Sequence, residues 1–201
     1  MKLRILLVVC LLPLFAASLL AQSQQPIFPT LGTYNSLPVY AGVVGDFNGD
    51  GLPDFAYYRL SAPQGPIDLV TLLNQGGDND PVVVSTPFNC NGATSFSLTT
   101  ADMNKDGKLD LVQTCNGYVV VVLGNGDGSF QIPSNTAYYS VSGATLSAVV
   151  PPVDLNGDGY PDVVANANAT VGGASSVAVF LNQGSPSPRC VSQSSDLRLP
   201  E

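Results

Sequence analysis

The sequence has no histidine and no tryptophan, and both absences restrict the chemistry open to the chain. Without histidine there is no Ser-His-Asp triad, no Cys-His pair and no His-ligated zinc site. Without tryptophan, an aromatic platform for a sugar would use tyrosine pairs such as Tyr57–Tyr58 and Tyr138–Tyr139. Core packing or exposure at a rim is the favoured role for these tyrosines. We therefore predict no catalytic residue and no enzyme activity.

Basic residues and glutamate are also scarce. The 201 residues include 7 Lys or Arg against 15 Asp or Glu, and Glu201 is the single glutamate. The formal net charge is −8, and it becomes −10 if Lys2 and Arg4 leave with a cleaved signal. A chain of this charge has no electrostatic attraction for nucleic acid or for an anionic membrane, so we expect neither as a partner.

The N-terminal residues 1–21 have the pattern of a secretory signal. Lys2 and Arg4 precede an apolar run from Ile5 to Phe15, and small residues follow it. The apolar run is short for a membrane-spanning helix, so we expect no membrane insertion after cleavage. Residues 22–38, rich in glutamine and proline, then read as a linker. The chain is predicted to be secreted, periplasmic or attached to the cell surface.

A nine-residue pattern, D-x-N-x-D-G-x-x-D, occurs three times and organises the rest of the sequence. It spans residues 46–54, 102–110 and 154–162. These segments are called loops 1, 2 and 3 below, and their residues are numbered as positions 1 to 9. Nine of the fourteen aspartates lie in the loops, whereas ordinary surface charge would use glutamate as freely as aspartate. The pattern therefore indicates a specific use for the carboxylates.

Oxygen side chains at positions 1, 3, 5 and 9, with glycine at position 6 for the sharp turn, are typical of a loop that binds calcium. The carbonyl of position 7 and a water can complete the shell of a hard cation. Ordinary Asp/Asn/Gly turns are the alternative, and three copies with identical positions favour the metal. Asp127 is a weaker candidate, as an extra ligand or as part of a hairpin turn. The predicted ligands are Asp46, Asn48, Asp50, Leu52 and Asp54; Asp102, Asn104, Asp106, Lys108 and Asp110; and Asp154, Asn156, Asp158, Tyr160 and Asp162.

The loops also set the period of an internal repeat. Their first aspartates are 56 and then 52 residues apart, and each loop runs directly into a β-like segment. Short β-branched runs, Gly/Asn turns and the lack of helical periodicity predict an all-β fold of four-stranded antiparallel blades of the β-propeller type. We expect about three blades, over residues 39–93, 94–144 and 145–185. An irregular tail, residues 186–201, then leaves the array incomplete.

These units resemble FG-GAP/VCBS-type repeats, the calcium-loop blades that also occur in the integrin α-subunit propeller. The segments 46–56 and 119–130 carry the resemblance best, and it covers roughly residues 39–185. The resemblance implies metal-ligand roles for positions 1, 3, 5 and 9 of each loop, and it implies no catalytic residue. Position 12 is not glutamate in any copy, which separates the loops from EF-hands.

Two functional interpretations remain open at this point. The first is a secreted calcium-binding module that acts as a scaffold or as an adhesion surface for an extracellular protein or glycan. The second is the non-catalytic portion of a secreted carbohydrate-active enzyme, a very weak enzyme in its own right, or a truncated reading frame.

Cys90, Cys115 and Cys190 would remain after signal cleavage. Export makes a disulfide plausible, and we favour Cys90 with Cys115 because both precede Asn-Gly near predicted strand ends. Pairs that use Cys190 stay open.

Overall fold

The computed structural model describes residues 39–60, 67–88, 97–131, 138–170, 175–184 and 190–193. The predicted signal (1–21) and linker (22–38) lie outside them, as do Cys90 and most of the predicted tail. None of the described residues belongs to a helix long and apolar enough to cross a membrane.

The described strands form three four-stranded antiparallel sheets, called the first, second and third blade. The first blade contains β1 (Val39–Gly45), β2 (Asp54–Leu60), β3 (Ile67–Leu73) and β4 (Val82–Pro87). The second contains β5 (Leu98–Ala101), β6 (Asp110–Cys115), β7 (Tyr118–Val122) and β8 (Tyr138–Tyr139). The third contains β9 (Ala144–Val149), β10 (Val163–Ala169), β11 (Ser176–Asn182) and β12 (Cys190–Gln193).

Each blade pairs its strands in chain order, first with second, second with third and third with fourth. This confirms the predicted all-β fold of four-stranded antiparallel blades. The pairing follows from short β-branched segments separated by turns that can join neighbouring strands without a crossover. Each D-x-N-x-D-G-x-x-D loop lies between the first and the second strand of its blade.

The second blade is covered on both faces, as expected for the uniformly apolar segment Val119–Val122. Successive residues of a strand point to opposite faces, so this segment contributes to two different cores. Val120 and Val122 belong to the apolar cluster shared with the first blade, and Val119 and Val121 to the cluster shared with the third. The partners across these interfaces include Ala56, Tyr58 and Leu69 on one side and Leu146, Val163 and Phe180 on the other. Each large side chain buried in this way contributes about 1.5–3 kcal/mol to the free energy of unfolding.

The third blade corrects one prediction. The sequence predicted an irregular tail over residues 186–201, but β12 (Cys190–Gln193) lies within it and pairs with β11. The prediction was wrong there because it required alternating side chains. A four-residue edge strand can instead be held through backbone hydrogen bonds to its neighbour.

Cys115, at the end of β6, is buried and disulfide-bonded. The favoured pairing with Cys90, and the alternatives that use Cys190, stay predictions.

Candidate metal centre in the three loops

Loop 1 wraps its backbone around its own polar side chains. The carboxylate of Asp46 (position 1) accepts hydrogen bonds from the backbone N–H groups of Gly49 (2.8 Å), Asp50 (3.2 Å) and Gly51 (2.8 Å). Asn48 Oδ1 accepts from the N–H of Asp50 at 3.1 Å, and Asp50 Oδ1 accepts from the N–H of Leu52 at 2.8 Å. Gly51 has a φ of 84°, which the glycine at position 6 adopts without steric cost. Positions 1, 3 and 5 are therefore brought together on one tight turn.

Loop 2 repeats this pattern. Asp102 accepts from the N–H groups of Asp106 (3.1 Å) and Gly107 (2.8 Å), and Asn104 Oδ1 accepts from the N–H of Asp106 (3.0 Å). Asp106 Oδ1 accepts from the N–H of Lys108 at 3.0 Å. The same sequence pattern thus produces the same local hydrogen bonding in a second blade.

Loop 3 completes the set. Asp154 accepts from the N–H groups of Gly157 and Gly159, each at 2.7 Å. Asn156 Oδ1 accepts from the N–H of Asp158 (3.0 Å), and Asp158 Oδ1 accepts from the N–H of Tyr160 (2.9 Å). All nine residues of positions 1, 3 and 5 therefore take part in equivalent turns.

The aspartate at position 9 has a structural role that the sequence did not predict. Asp54, Asp110 and Asp162 are fully buried at the start of the strand or bridge that follows each loop. In every blade one carboxylate oxygen accepts a hydrogen bond from the N–H of position 2, at 2.8 Å. The other oxygen accepts from a backbone N–H at the end of the third strand or just after it. Those second donors are Asn74 (2.8 Å), Gly124 (2.9 Å) and Asn182 (2.7 Å).

A sequence signal for this role exists. Asn74-Gln75-Gly76 and Asn182-Gln183-Gly184 repeat at equivalent places after the third strand, and Gly124 takes the place of the asparagine in the second blade. A Cβ on Gly124 would overlap the carbonyl oxygen of Leu109, which explains the glycine. In each blade the position-9 carboxylate thus joins the loop to the end of the third strand.

Burial perturbs two of these carboxyl groups. Burial raises the pKa of Asp110 to about 6, although the hydrogen bonds from Gly124 and Met103 oppose the shift. Burial also raises the pKa of Asp54, against the hydrogen bonds from Asn74 and Phe47. An ionised carboxylate at these positions therefore carries a desolvation cost that the two N–H donors offset only in part.

Each of the first two loops is also tied to the next blade through the backbone carbonyl at position 2. The carbonyl of Phe47 in loop 1 accepts from the N–H of Gly128 in the second blade at 3.0 Å. The carbonyl of Met103 in loop 2 accepts from the side-chain amide of Asn182 in the third blade at 2.7 Å. The conformation of a loop is therefore coupled to the packing between blades.

Lys105 makes a further connection between loop 2 and loop 3. Its ammonium lies 4.7 Å from the centroid of the Tyr160 ring. The pKa of Asp158 is lowered chiefly by the hydrogen bond from the Tyr160 N–H, then by the Asn156 side chain, and to a smaller extent by the charge of Lys105. Lys108, in the same loop as Lys105, pairs instead with Asp106, with Nζ 4.0 Å from Oδ2.

The donor types of each loop suit a hard cation, although the structure does not gather their carboxylates around one centre. Each loop offers aspartate carboxylates, an asparagine amide oxygen and backbone carbonyls, and oxygen donors of these kinds are what calcium binds. Among the residues that the structure describes, no three or more His, Cys, Asp or Glu side chains form a group that could hold a metal ion. The position-7 residues Leu52, Lys108 and Tyr160 would contribute only their carbonyls, so their different side chains are compatible with one role.

The remaining candidates have structural roles. Tyr57 and Tyr58 are buried in two different apolar clusters and are not available as an exposed platform. Asp127 accepts hydrogen bonds from the N–H (2.9 Å) and the hydroxyl (2.6 Å) of Ser129, as expected for the hairpin-turn alternative.

Three antiparallel blades, each with the same polar loop between its first two strands, define a β-propeller-type repeat module. A family model described as FG-GAP-like repeat matches residues 46–113 and 102–165, which together make up more than half of the chain. The chain belongs to the FG-GAP-like repeat family. Repeats of this family are typically non-catalytic and are typical of extracellular proteins. A search of curated proteins found no match.

Proposed function

We propose that this chain is a secreted calcium-binding β-propeller-type module that serves as a scaffold or as an adhesion surface for an extracellular protein or glycan. Calcium would be held by the side chains at positions 1, 3, 5 and 9 of each loop and by the carbonyl at position 7. The bound ion would supply positive charge that holds the acidic loop together. No catalytic role is proposed for any residue.

The observation that carries the calcium proposal is the recurrence of one hydrogen-bond pattern in all three loops. Backbone N–H groups fix the side chains at positions 1, 3 and 5, so little conformational freedom is lost when an ion binds. A carboxylate has about four acceptor sites, so a side chain that accepts N–H bonds retains lone pairs for a metal. Position 9 can therefore combine its structural role with the ligand role that we propose.

The charge distribution also supports a cation. Loops 1 and 3 each contain three aspartates and no lysine or arginine. In the first blade, Asp46 and Asp50 both add repulsion that raises the pKa of the buried Asp54. A divalent ion reverses this repulsion between the carboxylates of one loop.

Calcium titration by isothermal calorimetry, together with thermal unfolding in calcium and in chelator, tests the proposal. Extracellular calcium modules bind at about 10⁻⁴–10⁻³ M, so the titration must reach about 10 mM. A free calcium concentration ten times Kd would add about 1.4 kcal/mol of stability per site. The absence of both a binding heat and a rise in Tm would contradict calcium binding.

A pair of variants assigns the site. Asp106→Ala, at position 5 of loop 2, is expected to remove one ion from the stoichiometry. Asp78→Ala makes the same change of charge at an exposed aspartate outside the loops, and it should leave the stoichiometry unchanged. Equal stoichiometry in both variants would refute the ligand assignment for loop 2.

The adhesion role has a separate test. The protein is applied to arrays of glycans and of extracellular proteins, in calcium and in chelator. A ligand bound in calcium and released by chelator supports an adhesion surface. Binding that chelator does not affect would separate recognition from the metal, and no binding would favour a scaffold.

A further inference from the structure

Loop 2 differs from the other two loops at position 4. Gly49 and Gly157 occupy this position in loops 1 and 3, with φ of 76° and 77°, whereas Lys105 occupies it in loop 2 with φ of 59°. A residue with a Cβ is disfavoured in this left-handed conformation, so glycine is the expected residue. A lack of space does not explain the glycines in loops 1 and 3, because a Cβ at Gly49 or Gly157 would meet nothing within 4 Å.

The contacts of Lys105 lie in the third blade. Its ammonium lies over the ring of Tyr160, at 4.7 Å from the centroid, which is the geometry of a cation–π interaction. A Cβ added at Gly159 would lie 2.7 Å from Lys105 Nζ, so the glycine at position 6 of loop 3 leaves room for the ammonium. The same two loops are joined by the hydrogen bond from Asn182 to the carbonyl of Met103. A fixed positive charge from loop 2 is thereby held against loop 3.

We propose that Lys105 sets the divalent-cation affinity of loop 3. This inference rests on the proposed calcium function and adds its regulation. The ammonium, held beside Tyr160 and Gly159, is a like charge for a cation that enters loop 3. Loop 3 therefore binds a divalent ion more weakly than its own ligands would allow. Loop 1 has glycine in place of lysine at position 4, so it carries no such charge toward a neighbouring loop.

Neutralising Lys105 should tighten ion binding at loop 3. Exposed charges interact weakly, and the charge of the ion is two, so the expected change in Kd is about three- to tenfold. Lys105→Gln removes the charge and keeps most of the side chain. Lys105→Arg keeps the charge and the contact with the Tyr160 ring, and it should bind like the wild type.

Terbium luminescence provides a readout for loop 3. Terbium replaces calcium in oxygen-ligand sites and is excited through a nearby tyrosine, and Tyr160 is the position-7 residue of loop 3 where the other loops have Leu52 and Lys108. Tyr160→Phe keeps an aromatic ring beside the Lys105 ammonium but removes the tyrosine that excites terbium in loop 3. The luminescence lost in this variant is therefore the contribution of loop 3. Calcium affinities are then measured by displacement of terbium and by calorimetry. Unfolding in chelator confirms that each variant is folded.

The outcomes separate this inference from the function on which it rests. Tighter binding in Lys105→Gln, with wild-type binding in Lys105→Arg and in the control Arg59→Gln, supports it. Arg59 lies in β2, outside the loops, so this control makes the same change of charge away from the proposed ligands. Equal or weaker binding in Lys105→Gln overturns it and leaves the calcium proposal intact. An equal gain in Arg59→Gln also overturns it, because the effect would then be one of net charge. If the wild type binds neither calcium nor terbium, both proposals fail.

Discussion

The aspartate at position 9 has a structural role in addition to its proposed role as a metal ligand. Measurements of stability without metal can separate the two roles. Asp162 is fully buried and accepts hydrogen bonds from the N–H groups of Leu155 (2.8 Å) and Asn182 (2.7 Å). Asp162→Ala removes both acceptors. A buried donor left without a partner costs about 1–3 kcal/mol. The Asn182 N–H is buried, whereas water can reach the exposed Leu155, so we expect a loss of about 2–3 kcal/mol in the free energy of unfolding.

Asp162→Asn should have a smaller effect. Its amide oxygen can still accept from Asn182, and its NH₂ group would face the N–H of the exposed Leu155, where water can intervene. We expect a loss of about 1 kcal/mol. Asp158→Asn is the matched control because its side chain is exposed and keeps the acceptor for the Tyr160 N–H. In the absence of metal this control should lie within about 0.5 kcal/mol of the wild type.

Urea unfolding followed by circular dichroism in excess chelator measures these differences without any contribution from calcium. The expected order of stability is wild type and Asp158→Asn, then Asp162→Asn, then Asp162→Ala. If Asp162→Ala unfolds at the wild-type urea concentration in chelator, the carboxylate is not a structural element and the reasoning is refuted. Addition of calcium should then stabilise the wild type more than Asp158→Asn.

Two further predictions concern packing. Gln113 is buried with its side-chain NH₂ group lacking a hydrogen-bond partner, so Gln113→Met should stabilise the protein by about 1 kcal/mol. A lower Tm in this variant would show that the amide group is satisfied in solution. Gly124→Ala should cost more than 2 kcal/mol because its Cβ would overlap the carbonyl oxygen of Leu109. Gly143→Ala has free space and a φ of 77°, so it should cost only about 1 kcal/mol, and equal urea midpoints for the two variants would contradict the overlap.

The repeat and the strand order could be predicted from the sequence because the loop fixes the phase of each blade. The nine-residue pattern marks the turn between the first two strands, and the Gly-containing turns after residues 73, 122 and 182 mark the end of the third. The double coverage of Val119–Val122 also followed from composition, since a strand with one solvated face would alternate.

The parts that could not be predicted depend on partners distant in the sequence. The second donor to Asp162 lies 20 residues away, and the hydrogen bond from Asn182 to Met103 spans 79 residues. The sequence shows the polar groups but not which of them meet. The strand Cys190–Gln193 was missed because backbone pairing with β11, and no side-chain pattern, defines it.

The coverage of the second blade on both faces limits where a partner can be recognised. The inner segments of β6 and β7 are buried between the neighbouring sheets, so no side chain there is free to contact another molecule. Any specificity that the second blade provides must come from its connecting turns or from the half-buried outer strands β5 and β8. Sequence change in those turns can alter what the molecule recognises while the stacked sheets beneath them stay the same.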